Sequence, residues 1–374
     1  MSPQYIHERP EWPHFQWEQD ALAGPLAEIR HRQGRLLGRM EGLGFPLQKE
    51  AELRTLTLDV LKSSEIEGEK LDPEQVRSSI ARRLGLETAG TVMADRDVEG
   101  VVEMMLDATQ KFAQPLGEDR LFAWHAALFP TGRSGMRKII VGAWRGDAAG
   151  PMQVVSGAVG KEKVHYEAPA AARLPEEMSA FFEWANSADQ KTNAVLRAAL
   201  AHLWFVTIHP FDDGNGRIAR AIADWQLARS ENSAQRFYSM SAQIRAERKD
   251  YYSILERTQK GPLDVTPWMD WFLGCLGRSF DGTEATLAAV MRKGRLWEHL
   301  AQISINDRQR AILNRLLDGF EGKLTTTKWA KLAKCSHDTA LRDIRDLIDH
   351  GILKRDPGGG RSTSYSLGDE GQPA

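Results

Sequence analysis

Apolar side chains recur at helical spacing over much of the chain, and this pattern predicts a mainly α protein. The sequence is predicted to be helical almost throughout from about Leu22 to Asp107, including a leucine-rich stretch between Leu53 and Leu61. Asp72-Pro73-Glu74 marks a helix start, because Asp is a good N-cap and Pro fits the first turn. Two further helices are predicted over residues 217–225 and 242–252.

The pattern changes between Arg137 and Pro169, where short β-branched runs alternate with glycines. Residues 138–142 and 152–157 are predicted to be short strands, and residues 163–169 extend this region.

Three helices and two strands are predicted after about Asp307. The helices cover residues 308–320, 327–333 and 338–350, the last capped by Ser336 and ended by Gly351. The strands cover residues 352–355 and 364–367. This order resembles a winged helix-turn-helix, and we expect three regions: an N-terminal helical region (1–107), a core (108–294) and a winged-helix domain (295–374).

Composition favours an ordinary globular protein without a strong global charge. The net charge is −2, which gives no overall attraction to nucleic acid. The two cysteines, Cys275 and Cys335, are sixty positions apart and form no metal or disulfide pattern, which favours a reducing cytoplasm. No signal peptide is evident at the start, and no apolar run approaches membrane-spanning length. We therefore expect a cytoplasmic location.

Residues 209–220, HPFDDGNGRIAR, concentrate the groups needed to handle a phosphate. Gly214 and Gly216 tolerate positive φ and allow close approach of a ligand to the backbone. A glycine turn that leads into a helix N-terminus collects unpaired N–H donors and favours an anion. Arg217 and Arg220 lie three residues apart, so both can face one side of that helix. Arginine binds phosphate well through bidentate, charge-assisted hydrogen bonds.

The same segment supplies a candidate base and a candidate metal ligand. His209 can accept a proton near neutral pH. Asp213 can hold Mg²⁺ beside phosphates, since magnesium usually takes one or two carboxylates and substrate oxygens. Taken singly, each feature has an ordinary structural explanation: a core histidine, a helix-linking turn, a solvated arginine pair. The complete set in this order favours catalysis.

The segment resembles the core motif of the Fic (Fic/Doc) family, HPFx(D/E)GNGRxxR, with every fixed position present. The resemblance implies that His209 deprotonates a target hydroxyl and that Asp213 binds Mg²⁺ (or Mn²⁺). It also implies that the co-substrate ATP is held by an anion hole and two arginines, with Phe211 anchoring the loop. The residues of this phosphate site are Gly214, Asn215, Gly216, Arg217 and Arg220.

A second motif, residues 63–68 (SSEIEG), lies far upstream. Gly68 is predicted to end a helix, and Ser63 and Glu67 share one face of it. A charged helix end is the ordinary explanation, although the helix dipole disfavours a glutamate there. The segment resembles the inhibitory motif (S/T)xxxE(G/N) of Fic proteins, which implies that Glu67 pairs with Arg220 and blocks the ATP γ-phosphate.

The resemblance also implies a Fic helical core with a β-hairpin flap, placed near residues 159–169, that holds the target by strand pairing. Tyr251 and Tyr252 are tentative adenine neighbours, with a core aromatic as the alternative for one of them. The expected activity is transfer of AMP from ATP to a Ser, Thr or Tyr hydroxyl of a target protein or of the chain itself.

Two other functions stay open from the sequence. One is removal of AMP from the target, alone or beside transfer, and the other is a DNA-binding regulator whose core senses nucleotide. Lys354, Arg355 and Arg361 would serve DNA binding, but the third helix of the C-terminal region carries four aspartates that would repel phosphates. Protein docking is the favoured role for that region. A homodimer is expected from the family, and no membrane partner.

Overall fold

The computed structural model describes residues 4–86, 92–148, 150–157, 161–187, 192–300, 303–317, 320, 322–357 and 363–368, the side chains at 285, 286, 289, 292, 293, 295, 298 and 299 excepted. Two compact units are present. One is built from residues up to Gly85 and from Val92 to Thr286, and the other mainly from Leu287 onward. The N-terminal helices and most of the expected core therefore share a unit.

The first unit is built mainly from helices. They are α1 (Gln19–Glu41), α2 (Phe45–Ile66), α3 (Pro73–Arg83), α4 (Arg96–Gln110), α5 (Glu118–Leu128), α6 (Leu174–Asn186), α7 (Ala194–Ile208), α8 (Asn215–Glu231), α9 (Met240–Ala246), α10 (Arg248–Gln259) and α11 (Thr266–Leu300), which continues beyond the unit's end at Thr286. The expected boundary after Asp107 falls inside α4. None of the described helices is both long and apolar enough to cross a bilayer.

Helix α7 lies at the centre of this unit because its sequence, AVLRAALAHLWFVTI, is apolar on nearly every face. All but the first of its residues are buried. Asn193 caps its start by accepting a hydrogen bond from the Val195 N–H at 3.0 Å. Helix α8 packs along α7, and α2 packs against both α8 and α9. The two helices that carry the sequence motifs, α2 and α8, are therefore neighbours.

The predicted helix start at Asp72 is confirmed in detail. The Asp72 carboxylate accepts hydrogen bonds from the N–H groups of Glu74 and Gln75 at 2.8 and 3.0 Å, and Pro73 is the first residue of α3. The single helix predicted over residues 242–252 is wrong, because the helical backbone is interrupted at Glu247, between α9 and α10. The Glu247 carboxylate binds Arg278 of α11 at that break.

Two small antiparallel sheets belong to the first unit. They are the pair β1 (Arg133–Ser134) with β2 (Arg137–Lys138) and the hairpin β3 (Gln153–Ser156) with β4 (Lys163–Glu167). The hairpin lies where a flap was expected, although residues 158–160, including Val159 of the expected flap, lie outside the described residues. Tyr166 of β4 is buried and donates a hydrogen bond to the Thr207 carbonyl of α7 at 2.7 Å.

The strand predicted over residues 138–142 is wrong beyond Lys138. The N–H of Ile140 donates to the Asp212 carboxylate at 2.9 Å, and the N–H of Gly142 donates to Nδ1 of His125 at 3.2 Å. These donors bind the segment to α5 and to the loop between α7 and α8. They are therefore not used in a strand ladder.

The second unit has its own core. Its elements are α12 (Asp307–Leu317), β5 (Leu324–Thr325), α13 (Thr326–Leu332), α14 (His337–Asp349), β6 (Leu353–Arg355) and β7 (Ser364–Leu367), and its strands form an antiparallel sheet in the order β5-β7-β6. Trp329, Ile344 and Leu347 lie at the centre of the core. The predicted helices and strands are all present, with β5 in addition. Residues 318 and 319 of the predicted first helix lie outside the described residues.

Candidate active site

The loop between α7 and α8 is fixed by its own side chains. His209 ends α7 in the left-handed region (φ 52°), and Gly214 precedes α8 with φ 81°. The buried Asn215 amide closes the loop, because its Oδ1 accepts from the Phe211 N–H at 3.0 Å and its Nδ2 donates to the Phe211 carbonyl at 2.8 Å. Phe211 is completely buried, and its ring stacks on His125 at 4.1 Å. The loop is therefore held rigid before any ligand binds.

These bonds define what Asn215 can offer a phosphate. Its Oδ1 and one hydrogen of its Nδ2 are bound to Phe211, so its backbone N–H and the second Nδ2 hydrogen are what it can offer to an anion. The N–H groups of the first helical turn have no intrahelical acceptor, and no described side chain caps the start of α8. The start of α8 therefore offers backbone donors and the positive end of the helix dipole to an anion.

His209 has one ring nitrogen committed and the other available. Nδ1 lies 3.1 Å from the Val206 carbonyl oxygen, which can only accept, so Nδ1 carries the proton and Nε2 keeps its lone pair. The His209 carbonyl accepts from Nε of Arg145 at 2.8 Å. Burial lowers the pKa of His209 from 6.5 to about 4, and the hydrogen bond to Val206 opposes this shift only in part. The ring is therefore neutral at pH 7 and able to accept a proton.

Asp213 lies beside His209 with a carboxylate that is already oriented. Its Oδ1 accepts from the Gly214 N–H at 2.6 Å, and its Oδ2 accepts a short hydrogen bond from the Ser134 hydroxyl. His125 Nε2 lies 3.2 Å from the Asp213 carbonyl. No group of three metal-binding side chains occurs among the described residues. One carboxylate with a neighbouring hydroxyl is a hard-oxygen set that fits a magnesium ion completed by substrate oxygens.

The upstream motif meets the core motif as the resemblance implied. Glu67 Oε1 lies 2.8 Å from Arg220 Nη2. Ser63 holds the same guanidinium, since its Oγ accepts from Nε at 3.0 Å and its carbonyl accepts from Nη2 at 2.9 Å. Burial of Arg220 lowers the pKa of its guanidinium, but the Glu67 carboxylate more than offsets this effect, so the pKa is raised. The arginine is thus occupied by protein acceptors.

Two glycines allow this approach. Gly68 has φ 88° just after the end of α2, a conformation that a side chain disfavours. A Cβ at Gly216 would lie 2.3 Å from Glu67 Oε1. The carboxylate therefore occupies the space directly over the first turn of α8, where a phosphate would approach the backbone.

The two tyrosines differ in their surroundings. Tyr251 is 1% exposed, its hydroxyl lies 2.9 Å from His202 Nε2, and its ring packs against Trp271. It is the core aromatic of the pair, because its ring also packs against Trp268. Tyr252 is 37% exposed, with its hydroxyl 3.4 Å from Glu67 Oε2. Tyr252 is the more accessible of the two, and the adenine role of both tyrosines stays a prediction.

The structure adds three residues that the sequence did not reveal. Ser134 contacts Asp213, Arg145 binds the backbone at His209 and Pro169, and Glu69 binds Arg217. Each contact joins residues at least 24 positions apart, and none of the three residues belongs to a spacing pattern. Glu69 alone gave a signal, because it is an acid directly after the Glu67-Gly68 pair.

Comparison with known proteins agrees with this geometry. A family model described as Fic/DOC family matches residues 115–227, and one described as a domain of unknown function (DUF4172) matches residues 5–86. Proteins named protein adenylyltransferase Fic from Nematostella vectensis and Drosophila melanogaster are 34% and 33% identical over 114 and 105 residues, which is 30% and 28% of this chain. The match spans a quarter or less of the length of those relatives, 25% and 20%.

The fold is also found in a solved structure. A Fic family protein from Desulfovibrio desulfuricans G20 superposes with a TM-score of 0.54 at 22% identity, covering 96% of this chain and 99% of that one. This chain therefore has the fold of a Fic family protein and carries a Fic/DOC domain over residues 115–227.

Proposed function

We propose that the protein is an adenylyltransferase, which moves AMP from ATP to a Ser, Thr or Tyr hydroxyl of a target protein or of the chain itself. The observation that carries the proposal is the single loop from His209 to Arg220. It presents a neutral imidazole with a free Nε2, an oriented carboxylate and a helix N-terminus flanked by two buried arginines.

In the proposed reaction the target oxygen attacks the α-phosphorus of ATP. His209 Nε2 takes the hydroxyl proton, the new O–P bond forms, and the bond between the α-phosphorus and the bridging oxygen breaks to release pyrophosphate. Arg217 and Arg220 bind the departing phosphates, and the backbone donors of α8 stabilise the charge that develops. A divalent ion held by Asp213 would neutralise phosphate charge when bound. Base catalysis of this kind is worth roughly a hundred- to ten-thousand-fold in rate.

In the proposed enzyme, the conformation with Glu67 bound to Arg220 is the resting state. ATP and Glu67 compete for one guanidinium, so the intact chain is expected to transfer AMP slowly. The carboxylate also fills the space over Gly216. Activation therefore requires Glu67 to leave, and a chain without it should be constitutively active.

Removal of AMP is a second candidate that one observation favours. The Glu67 side chain is 30% exposed, and its Oε2 lies 3.4 Å from the Tyr252 hydroxyl. A carboxylate that faces solvent at the phosphate site can orient a water towards a phosphodiester. Such an activity would need Glu67, whereas transfer should improve when Glu67 is lost, so the two activities respond oppositely to one substitution.

The position of the radiolabel tests which bond is broken. The Glu67→Gly variant is incubated with ATP labelled either at the α- or at the γ-phosphate, with and without a cell lysate. Adenylyl transfer predicts labelled protein from α-labelled ATP alone. Label from the γ-phosphate would contradict the proposal and show phosphoryl transfer instead.

A further inference from the structure

Glu69 contacts the other arginine of the core motif. Its Oε2 lies 2.6 Å from Arg217 Nη1. Because Gly68 turns the backbone between Glu67 and Glu69, two carboxylates from one turn reach two arginines that are three residues apart on α8. Both phosphate-binding arginines of the motif are therefore paired with acids from the segment after α2.

The surroundings of the Arg217 side chain favour binding of an anion. This side chain is 3% exposed, and its guanidinium lies 5.0 Å from the centre of the Phe129 ring. Its Nε is buried and has no hydrogen-bond partner among the described residues. A buried guanidinium nitrogen without an acceptor is unfavourable, and a phosphate can supply two acceptor oxygens at once. Glu69 satisfies only Nη1.

The ion pair between Glu69 and Arg217 is exposed to solvent on the Glu69 side, so a competing anion can displace the carboxylate. The Glu69 side chain is 46% exposed, whereas Arg220 is gripped by Ser63 as well as by Glu67. Partial burial raises the pKa of Glu69, the positive charge of Arg217 opposes that rise, and Asp213 and Glu67 add to it. The carboxylate thus lies among other acids and is attracted mainly by Arg217.

We propose that Glu69 is a second inhibitory carboxylate, which competes with a nucleotide phosphate for Arg217 while Glu67 competes for Arg220. The inference rests on the proposed use of ATP at this site. It implies that loss of Glu67 frees one arginine only and that full affinity for ATP requires both acids to leave.

ATP affinity measured without turnover tests the proposal. In a chain that carries His209→Ala and Glu67→Gly, ATP is titrated by calorimetry with a third substitution at Glu69 or Glu65. Glu69→Gln is expected to tighten ATP binding about three- to fivefold, because a half-exposed ion pair such as this one contributes little binding energy. Glu69→Asp keeps the charge but is one methylene shorter, and most of the gain should remain.

Glu65→Gln is the matched control for charge. Glu65 lies in the last turn of α2, four residues before Glu69, and pairs with Lys62 at 2.7 Å and Arg245 at 3.5 Å. Its removal should leave ATP affinity unchanged. An unchanged affinity in Glu69→Gln, an equal gain in Glu65→Gln, or a Glu69→Asp variant that behaves like its parent would each overturn the proposal.

A parallel transfer assay with His209 intact separates this inference from the proposed function. Labelled protein in the Glu67→Gly variant, together with an ATP affinity that does not respond to Glu69→Gln, would overturn the role of Glu69 alone. Tighter ATP binding without any transfer would support the role of Glu69 and overturn AMP transfer. Absence of ATP binding in every variant would overturn both.

Discussion

At the scale of single residues, chemistry depends on which atoms are already committed. His209 Nδ1 is bound to the Val206 carbonyl, so the tautomer is set by the end of α7 rather than by the substrate. Asp213 has both carboxylate oxygens placed by neighbours. These commitments leave the Nε2 lone pair of His209 free of them and fix the orientation of the Asp213 carboxylate.

Replacing His209 by Ala should abolish AMP transfer in the Glu67→Gly background while ATP binding stays near normal. The imidazole accepts the target's proton and makes no phosphate contact in the proposed reaction, so only the chemical step depends on it. Transfer rate and ATP affinity are measured on the same preparation. Retained transfer would remove His209 as the base.

Replacing Asp213 by Ala should reduce transfer severely and make the remainder insensitive to added Mg²⁺. Asp212→Ala is the matched control, because this adjacent carboxylate accepts a hydrogen bond from the Ile140 N–H and has no metal role in the proposal. The readout is initial rate against Mg²⁺ concentration. A normal metal response in Asp213→Ala would exclude it as the ligand.

At the scale of elements, the conformation of the loop between α7 and α8 is fixed by the side-chain amide of Asn215. Asn215 bridges both backbone groups of Phe211, and Phe211 fixes the loop in the core. The twelve-residue motif thus carries its own scaffold as well as its chemistry.

Replacing Asn215 by Ala should lower the free energy of unfolding by about 1–3 kcal/mol, because two buried backbone groups lose their partner. Asn215→Asp should also destabilise the fold, since a buried carboxylate accepts from the Phe211 N–H but has no proton to donate to the Phe211 carbonyl. Urea unfolding of the two variants gives the comparison. Equal stability of Asn215→Ala and the parent would show that the loop does not depend on this amide.

Sequence reasoning succeeded where the needed residues are close in the chain. The caps at Asp72 and Ser336 depend on local spacing and are confirmed. The strand over residues 138–142 failed because its donors bind groups far along the chain. Whether Tyr251 lies in the core depends on its packing against α11, which no local pattern records. The contact between Glu69 and Arg217 spans 148 positions and was equally inaccessible.

At the scale of the whole molecule, buried histidines couple stability to pH. Burial lowers the pKa of His7, His125 and His209 from 6.5 to about 4 and that of His202 to about 3. The unfolded chain therefore binds more protons than the folded chain below pH 6.5. Stability should fall as pH drops from about 6.5 towards 4, and it should be restored when pH rises again.

The His202→Gln variant isolates one of these groups. A histidine that is protonated in the unfolded chain and neutral in the folded chain changes the free energy of unfolding by up to about 1.4 kcal/mol per pH unit. His202 is 1% exposed, so its removal should flatten the dependence of unfolding free energy on pH between 4 and 6. Urea titrations at several pH values measure this slope. A slope equal to that of the parent would contradict the link to His202.

DNA binding by the second unit is expected to be weak. Asp343 of α14 is buried and binds Arg308 of α12, so it holds the unit together, while Asp338 and Asp349 are exposed beside Arg342 and Arg345. Lys354 and Arg355 are exposed on β6, and Arg361 lies outside the described residues.

Fluorescence anisotropy with duplex DNA at two salt concentrations measures this binding. We expect low affinity without sequence preference. Tight, sequence-specific binding that is lost in a Lys354→Ala, Arg355→Ala variant would instead favour the regulator hypothesis.

Transfer of α-labelled AMP tests the central claim most directly. The parent chain, Glu67→Gly and the double variant Glu67→Gly, His209→Ala are compared on the chain itself and on a cell lysate. The account predicts faint label for the parent, strong label for Glu67→Gly and none for the double variant. Equal label in the parent and Glu67→Gly would contradict inhibition by Glu67, and label that persists in the double variant would contradict catalysis at this loop.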